Sequence, residues 1–156
     1  MITRRQIDDL EGLRRYGIGR LLLLARRDLM ARLERDARRR GAAVLAPAIS
    51  AAVPFIDLEG TRSTELARRL GVTKQAVGRV VTALEAEGLV TRTVDEADGR
   101  AYLVAFTEAG LRYLVDSYRA MRRIEREYER IVGADELARV RRVLTIISYG
   151  SPADTP

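Results

Sequence analysis

The chain contains neither histidine nor cysteine. Their absence removes imidazole acid–base chemistry, thiolate nucleophiles and the usual transition-metal ligands together. Serine and threonine then have no imidazole to activate them. No phosphate-cradling loop and no EF-hand-like acidic loop is visible in the sequence. The reading is of a non-enzyme, with no catalytic residues, no metal ligands and no cofactor. The residues whose types and spacing do suit a chemical task are Lys74, Gln75, Gly78, Arg79 and Thr82. On a helix at about 100° per residue they fall within about 140° of one side. Val77, Val80, Val81 and Leu84 fall on the other, with Ala76 at the edge. The polar set matches base edges: Gln bonds adenine bidentately, Arg or Lys reaches guanine, and a Thr methyl touches thymine. Gly78 leaves the backbone bare where such a helix comes nearest the groove floor. The competing reading is an ordinary solvated helix face.

The flanking sequence supplies the elements that must hold this face in place. Ser63 is the expected N-cap of a helix over 64–70, Gly71-Val72 the turn, and Thr73 the cap of the helix 74–87, closed by Gly88. Residues 89–94 and 100–106 have strand composition, and the polar stretch 95–99 between them reads as a hairpin tip. Together these make a winged helix-turn-helix. At the tip, Arg100 suits the negative potential of a narrow minor groove, with Asp98 orienting it. The neighbouring acids would repel phosphate unless paired, and Arg92 is the expected partner. Thr61, Ser63 and the amides near them could hold phosphate at a helix N-terminus, although the same hydroxyls also serve as caps.

The rest of the chain reads as helical. Apolar positions at Leu13, Gly17, Leu21, Leu24, Leu29 and Leu33 predict one long helix over 11–40, weakened at Gly17 and Gly19 and ended by Arg38-Arg39-Arg40-Gly41. An apolar helix over 47–57 should start at Pro47 and be kinked or shortened by Pro54. Thr107 caps a helix over 108–132 that ends at Gly133, and Asp135 caps a last helix reaching Ser148. Leu111, Leu114, Tyr118, Met121, Tyr128 and Val132 make a near-heptad stripe, and Leu137, Val140, Leu144 and Ile147 add another. These stripes exceed what one thin chain can cover, so a second copy is the expected partner. The 156 residues carry a net charge of +6. That whole excess sits in residues 1–45, whereas residues 58–107 are neutral. An acidic partner is therefore argued from where single cations sit, not from the total. The longest apolar run near the N-terminus, Leu21 to Ala25, is too short for a signal segment or a membrane span, and the expected location is cytoplasmic.

The segment resembles the MarR family of bacterial transcription regulators. The residues that carry the resemblance are Glu65-Leu66-Ala67, Leu70-Gly71-Val72, Gln75-Ala76-Val77, Leu84-Glu85, Gly88-Leu89-Val90, Asp98-x-Arg100, Leu103-Val104 and Thr107-Glu108-x-Gly110. It is specific from 63 to 110 and extends over residues 10–148 in element order. It implies a mostly α fold with a small β-wing, in which N-terminal (1–45) and C-terminal (108–149) dimerisation helices flank a winged lobe (46–107), with a disordered tail (150–156). It further implies a homodimer that binds a palindromic operator in double-stranded DNA, usually as a repressor, and is released by a small anionic or phenolic ligand. By position, Gln75 and Arg79 lie on the family's recognition helix and Arg100 on its wing. The alternative is a winged helix used for protein interaction or for non-specific, architectural DNA binding. The chain lacks the cysteine of the family's peroxide-sensing branch and the histidines of its zinc-sensing branch.

Overall fold

A computed structural model describes residues 3–42, 44–95 and 98–150, with the side chains of residues 5, 8, 95 and 98–101 outside the description. The chain divides into two compact units, residues 43–119 and residues 1–42 with 120–156.

The 43–119 unit begins with a single helical turn, α3 (Pro47–Ser50), and a 3-10 turn at Val53–Phe55. The single apolar helix expected over 47–57 is thus two short pieces. Pro47 opens the first and Pro54 sits in the first turn of the second, where a missing N–H costs nothing. A short strand β1 (Thr61–Arg62) leads into α4 (Ser63–Leu70), then α5 (Lys74–Ala86), β2 (Val90–Asp95) and β3 (Asp98–Phe106). The sheet is antiparallel in the order β1-β3-β2. Thr61 pairs with Val104, and the hairpin runs in register from Val90–Phe106 to Val94–Tyr102, with a shift after Val94. The core joins Leu66 and Ala67 of α4 to Val77, Val81 and Leu84 of α5 and to Val90 and Val104 of the sheet. Leu66, Val77, Leu84 and Val104 are fully buried, each worth about 1.5–3 kcal/mol of apolar burial.

Two glycines shape this unit. Gly71 ends α4 with φ +65°, the left-handed conformation that lets the chain reverse into α5. Gly110, in the first turn of α6 (Glu108–Val132), lies where a Cβ would come 1.9 Å from the Leu89 carbonyl oxygen. Thr107 caps α6 as expected: its Oγ1 accepts from the Gly110 amide at 3.0 Å and donates to the Gly88 carbonyl at 2.6 Å.

The other unit holds α1 (Arg4–Tyr16), α2 (Ile18–Arg39), the rest of α6, and α7 (Ala134–Tyr149). The continuous helix expected over 11–40 is broken at Gly17, where ψ is 137°. An apolar period can run through such a break, so periodicity alone does not reveal it. Thr3 and Gln6 cap α1 reciprocally, Thr3 Oγ1 accepting from the Gln6 amide at 3.3 Å and Gln6 Oε1 from the Thr3 amide at 2.9 Å. Gly133, not Asp135, occupies the N-cap of α7, and Asp135 falls in its first turn, where a carboxylate favours the helix dipole. Of the expected tail, residues 150–156, Gly150 is the C-cap of α7 and residues 151–156 lie outside the described residues.

Along α6 the single chain covers part of the apolar stripe. Ala120 and Ile124 are the helix's buried apolar residues, while Leu111, Tyr118, Ile131 and Val132 are exposed. The sixteen residues of α7 include none that is buried. Val140, Val143, Leu144, Ile146 and Ile147 all lie open on its surface.

Candidate nucleic-acid interface

Helix α5 is built to show one face. Thr73 stands at its N-cap in extended conformation, and its hydroxyl accepts from the Ala76 amide at 3.2 Å. Val77, Val81 and Leu84 seat the helix in the core. The opposite side carries Lys74, Gln75, Gly78, Arg79 and Thr82, all exposed, as is Thr73. Among the described residues, Lys74, Gln75 and Arg79 engage in no side-chain hydrogen bond or ion pair. Their donors and acceptors are therefore available to a ligand. Nothing lies within 4 Å of a Cβ placed on Gly78.

Helix α4 is fixed by a charge network on its own flank. Glu65 accepts from Arg68 at 2.7 and 2.8 Å and from Arg69 at 2.8 Å. Arg69 also reaches the Phe55 carbonyl at 3.0 Å and Asp57 at 2.9 Å. The two guanidinium groups hold the Glu65 carboxyl well below the ordinary range, at about 2. Arg69 likewise keeps Asp57 below its usual value. The network ties α4 to the segment before β1, against which the helix-turn-helix is oriented.

Two sequence expectations are corrected here. Ser63 is not an N-cap: Arg62 holds that position without a side-chain capping bond, and Ser63 is the first helical residue, half-buried. The strand β1 runs directly into the helix, leaving no extended residue at 63 to act as cap. Thr61 is 2% exposed and is satisfied inside the protein. Its Oγ1 accepts from the Asp57 amide at 2.8 Å and donates to Asp57 Oδ2 at 3.1 Å, so it offers nothing to a phosphate.

Arg92 reaches back to α5, while the wing-tip acids it was expected to neutralise have side chains outside the described residues. The Arg92 Nη1 pairs with Glu85, and its Nη2 donates to Thr82 Oγ1 at 3.1 Å. Strand β2 is thereby hooked to the exposed edge of the helix. The Thr82 hydroxyl is engaged by this contact, which leaves its methyl as the group free for apolar contact. Glu85 and Arg69 are the positioning residues that the sequence reading missed. Glu85 had a visible signal, since it lies three residues after Thr82 on one helix face. The backbone of Asp98 and Arg100 is in β3, but their side chains, and all of Glu96 and Ala97, lie outside the described residues.

No helix among the described residues is long and apolar enough to cross a membrane. Residues 55–101, the span from the 3-10 turn to the wing, match the model of the MarR family. No curated protein matches the chain. Solved structures do. A probable transcriptional regulator from Pseudomonas aeruginosa is 26% identical, with a TM-score of 0.67 over 83% of this chain and 96% of that one. CouR from Rhodococcus jostii RHA1, bound to p-coumaroyl-CoA, is 25% identical, with a TM-score of 0.64 over 86% and 93%. The repressor CouR bound to a 23-mer DNA duplex matches at 23% identity and TM-score 0.70 over 88% and 95%, a likeness of fold. The exposed α5 face, the wing behind it and these matches agree: residues 55–101 form a winged helix-turn-helix that matches the MarR family model, and the chain has the fold of solved transcriptional regulators along most of its length.

Proposed function

We propose that the chain is a sequence-specific, DNA-binding transcription regulator that acts as a homodimer. The observation that carries this reading is the α5 face. Lys74, Gln75, Arg79 and Thr82 are exposed, the first three without partners among the described residues, on a helix whose other side is locked into the core. In this reading α5 enters the major groove. Gln75 and Arg79 read base edges, Lys74 adds a cation, Thr82 offers its methyl, and bare Gly78 permits close approach. Thr73 and Ser63, at the starts of α5 and α4, face the phosphates. Arg100 probes the minor groove from the wing with Asp98 beside it, while Arg92 sets the hairpin against α5 through Glu85.

Dimerisation is supported by the uncovered helices. A sixteen-residue helix with no buried residue and five exposed apolar side chains needs a partner surface to justify its order. Residues 1–45 and 108–149 are the proposed dimerisation regions. A two-fold dimer presents two α5 helices about one DNA turn apart (~34 Å), which calls for a palindromic operator. Repression by covering promoter DNA follows most simply, and a small anionic or phenolic ligand that prefers another spacing of the lobes would release it. The DNA-bound and p-coumaroyl-CoA-bound CouR structures lend support to both halves of this scheme.

The test is selection of bound fragments from random duplex DNA. A two-fold-symmetric consensus, bound at least about a thousand-fold tighter than unrelated DNA at matched salt, is the expected outcome. Fragments without a common sequence would leave the non-specific, architectural alternative in its place.

A further inference from the structure

The unit that holds α2 and α6 carries a cationic feature of its own. A cavity of about 390 Å³ lies between α2 and α6, within the range of small-ligand sites. Five arginines line it, Arg32, Arg35, Arg38, Arg39 and Arg123, against two carboxylates, Asp36 and Glu127. Ile124 is the single apolar residue among those that line it, so the polar groups offered to a guest are those of charged side chains. We propose that this cavity binds a compact small molecule carrying two or more phosphate groups.

The carboxylates act as struts for the guanidinium groups. Asp36, 7% exposed, accepts from Arg123 Nε at 3.0 Å and from its Nη2 at 2.8 Å, and from Arg40 Nε at 2.8 Å. Glu127 accepts from Arg32 Nη1 at 2.6 Å, and Asp28 from Arg32 Nε at 2.7 Å. Arg38 is shared with Glu34 at 2.6 Å. Those acids are thereby spent, and two cations remain without a carboxylate. Arg35 bonds only the Ala31 carbonyl of its own helix, at 3.2 Å, and Arg39 bonds no described group. The planar guanidinium fork matches phosphate oxygens bidentately, and forks already held in place lose little freedom on binding. The lining charge of +3 is close to the roughly −3 of a diphosphate at neutral pH.

Titration calorimetry of the full-length protein with inorganic pyrophosphate, at about 0.15 M salt, tests this. One site per protomer with a dissociation constant below about 1 mM is expected, with sulfate at least about ten-fold weaker. Arg39→Ala and Arg35→Ala, both at exposed positions, should each weaken pyrophosphate about ten-fold without changing helix content. Absence of binding, equal binding of sulfate, or indifference to both substitutions would overturn the proposal. So would co-sedimentation with vesicles bearing phosphorylated headgroups, which would assign the cations to a membrane surface. An Arg39→Ala protein that binds every DNA duplex more weakly would assign them to the DNA backbone instead. Because pyrophosphate is measured on the protein alone, its failure leaves the reading of α5 intact, and Arg79→Ala should leave pyrophosphate binding unchanged.

Discussion

Replacing Gly78 by alanine should move stability and DNA binding in opposite directions. Gly78 is the fifth residue of the thirteen in α5, and a Cβ built there meets nothing within 4 Å. The new methyl group therefore causes no clash inside the protein. What remains is the helix-propensity difference, about 0.8–1.0 kcal/mol in favour of alanine. For a domain of this size that should raise the melting temperature by roughly 2–4 °C. On DNA the same methyl stands between the helix backbone and the groove floor. If it misplaces one bidentate base contact, the loss is about 1–3 kcal/mol, or roughly 5- to 150-fold in affinity. Thermal unfolding followed by circular dichroism, with binding isotherms on the selected duplex, reads both quantities on one preparation. A variant that is more stable and binds as well as the parent refutes the close approach of α5 at this residue. A variant that loses both would show that Gly78 serves the fold.

Four further outcomes follow from the geometry. Leu84→Ala, at a fully buried position, should cost about 2–5 kcal/mol in urea unfolding; a cost under about 1 kcal/mol would contradict the packing beneath α5. Ile147→Asp places a charge on the open face of α7, where it costs the lone protomer little; sedimentation should show the dimer dissociating, and an unchanged dimer would exclude this face from the interface. Asp36 and Arg123 should couple by about 1–2 kcal/mol in a double-mutant cycle of Asp36→Asn and Arg123→Ala. That is below the 3–5 kcal/mol of a fully buried pair, since Arg40 stays on Asp36 and the Arg123 side chain is 39% exposed. Arg123, and then Arg40, hold the Asp36 carboxyl below its ordinary range against the opposing effect of burial. Its contribution is therefore present above the unfolded value near about 4 and is lost as pH falls through the lower folded value. Asp36→Asn should flatten the acid limb of the stability profile, and an unchanged limb would remove Asp36 from it.

Local chemistry made much of the lobe legible. Thr73 and Thr107 cap the helices that their types suggested, Gly71 turns where only glycine is unstrained, and the two sides of α5 separate as their spacing required. What depended on tertiary contact was not legible. The reach of Arg92 to Glu85 on another element was one such contact. Thr61 turned inward to Asp57, and Ser63 lost the cap position because β1 runs straight into α4. On α6 the burial of small Ala120 is set by packing that side-chain hydrophobicity alone does not encode. The break at Gly17 was hidden because a helical period survives one residue out of register with the helix.

The most direct measurement of base reading is a competition isotherm for the parent chain and Gln75→Ala, on the selected duplex and on versions with single base pairs changed, at one salt concentration. Major-groove insertion of α5 predicts that the parent discriminates strongly and that Gln75→Ala loses about 1–3 kcal/mol of discrimination at one symmetric pair of positions, with its salt dependence unchanged. A parent that binds all these duplexes alike, or a Gln75→Ala protein that weakens on all of them equally, would contradict it.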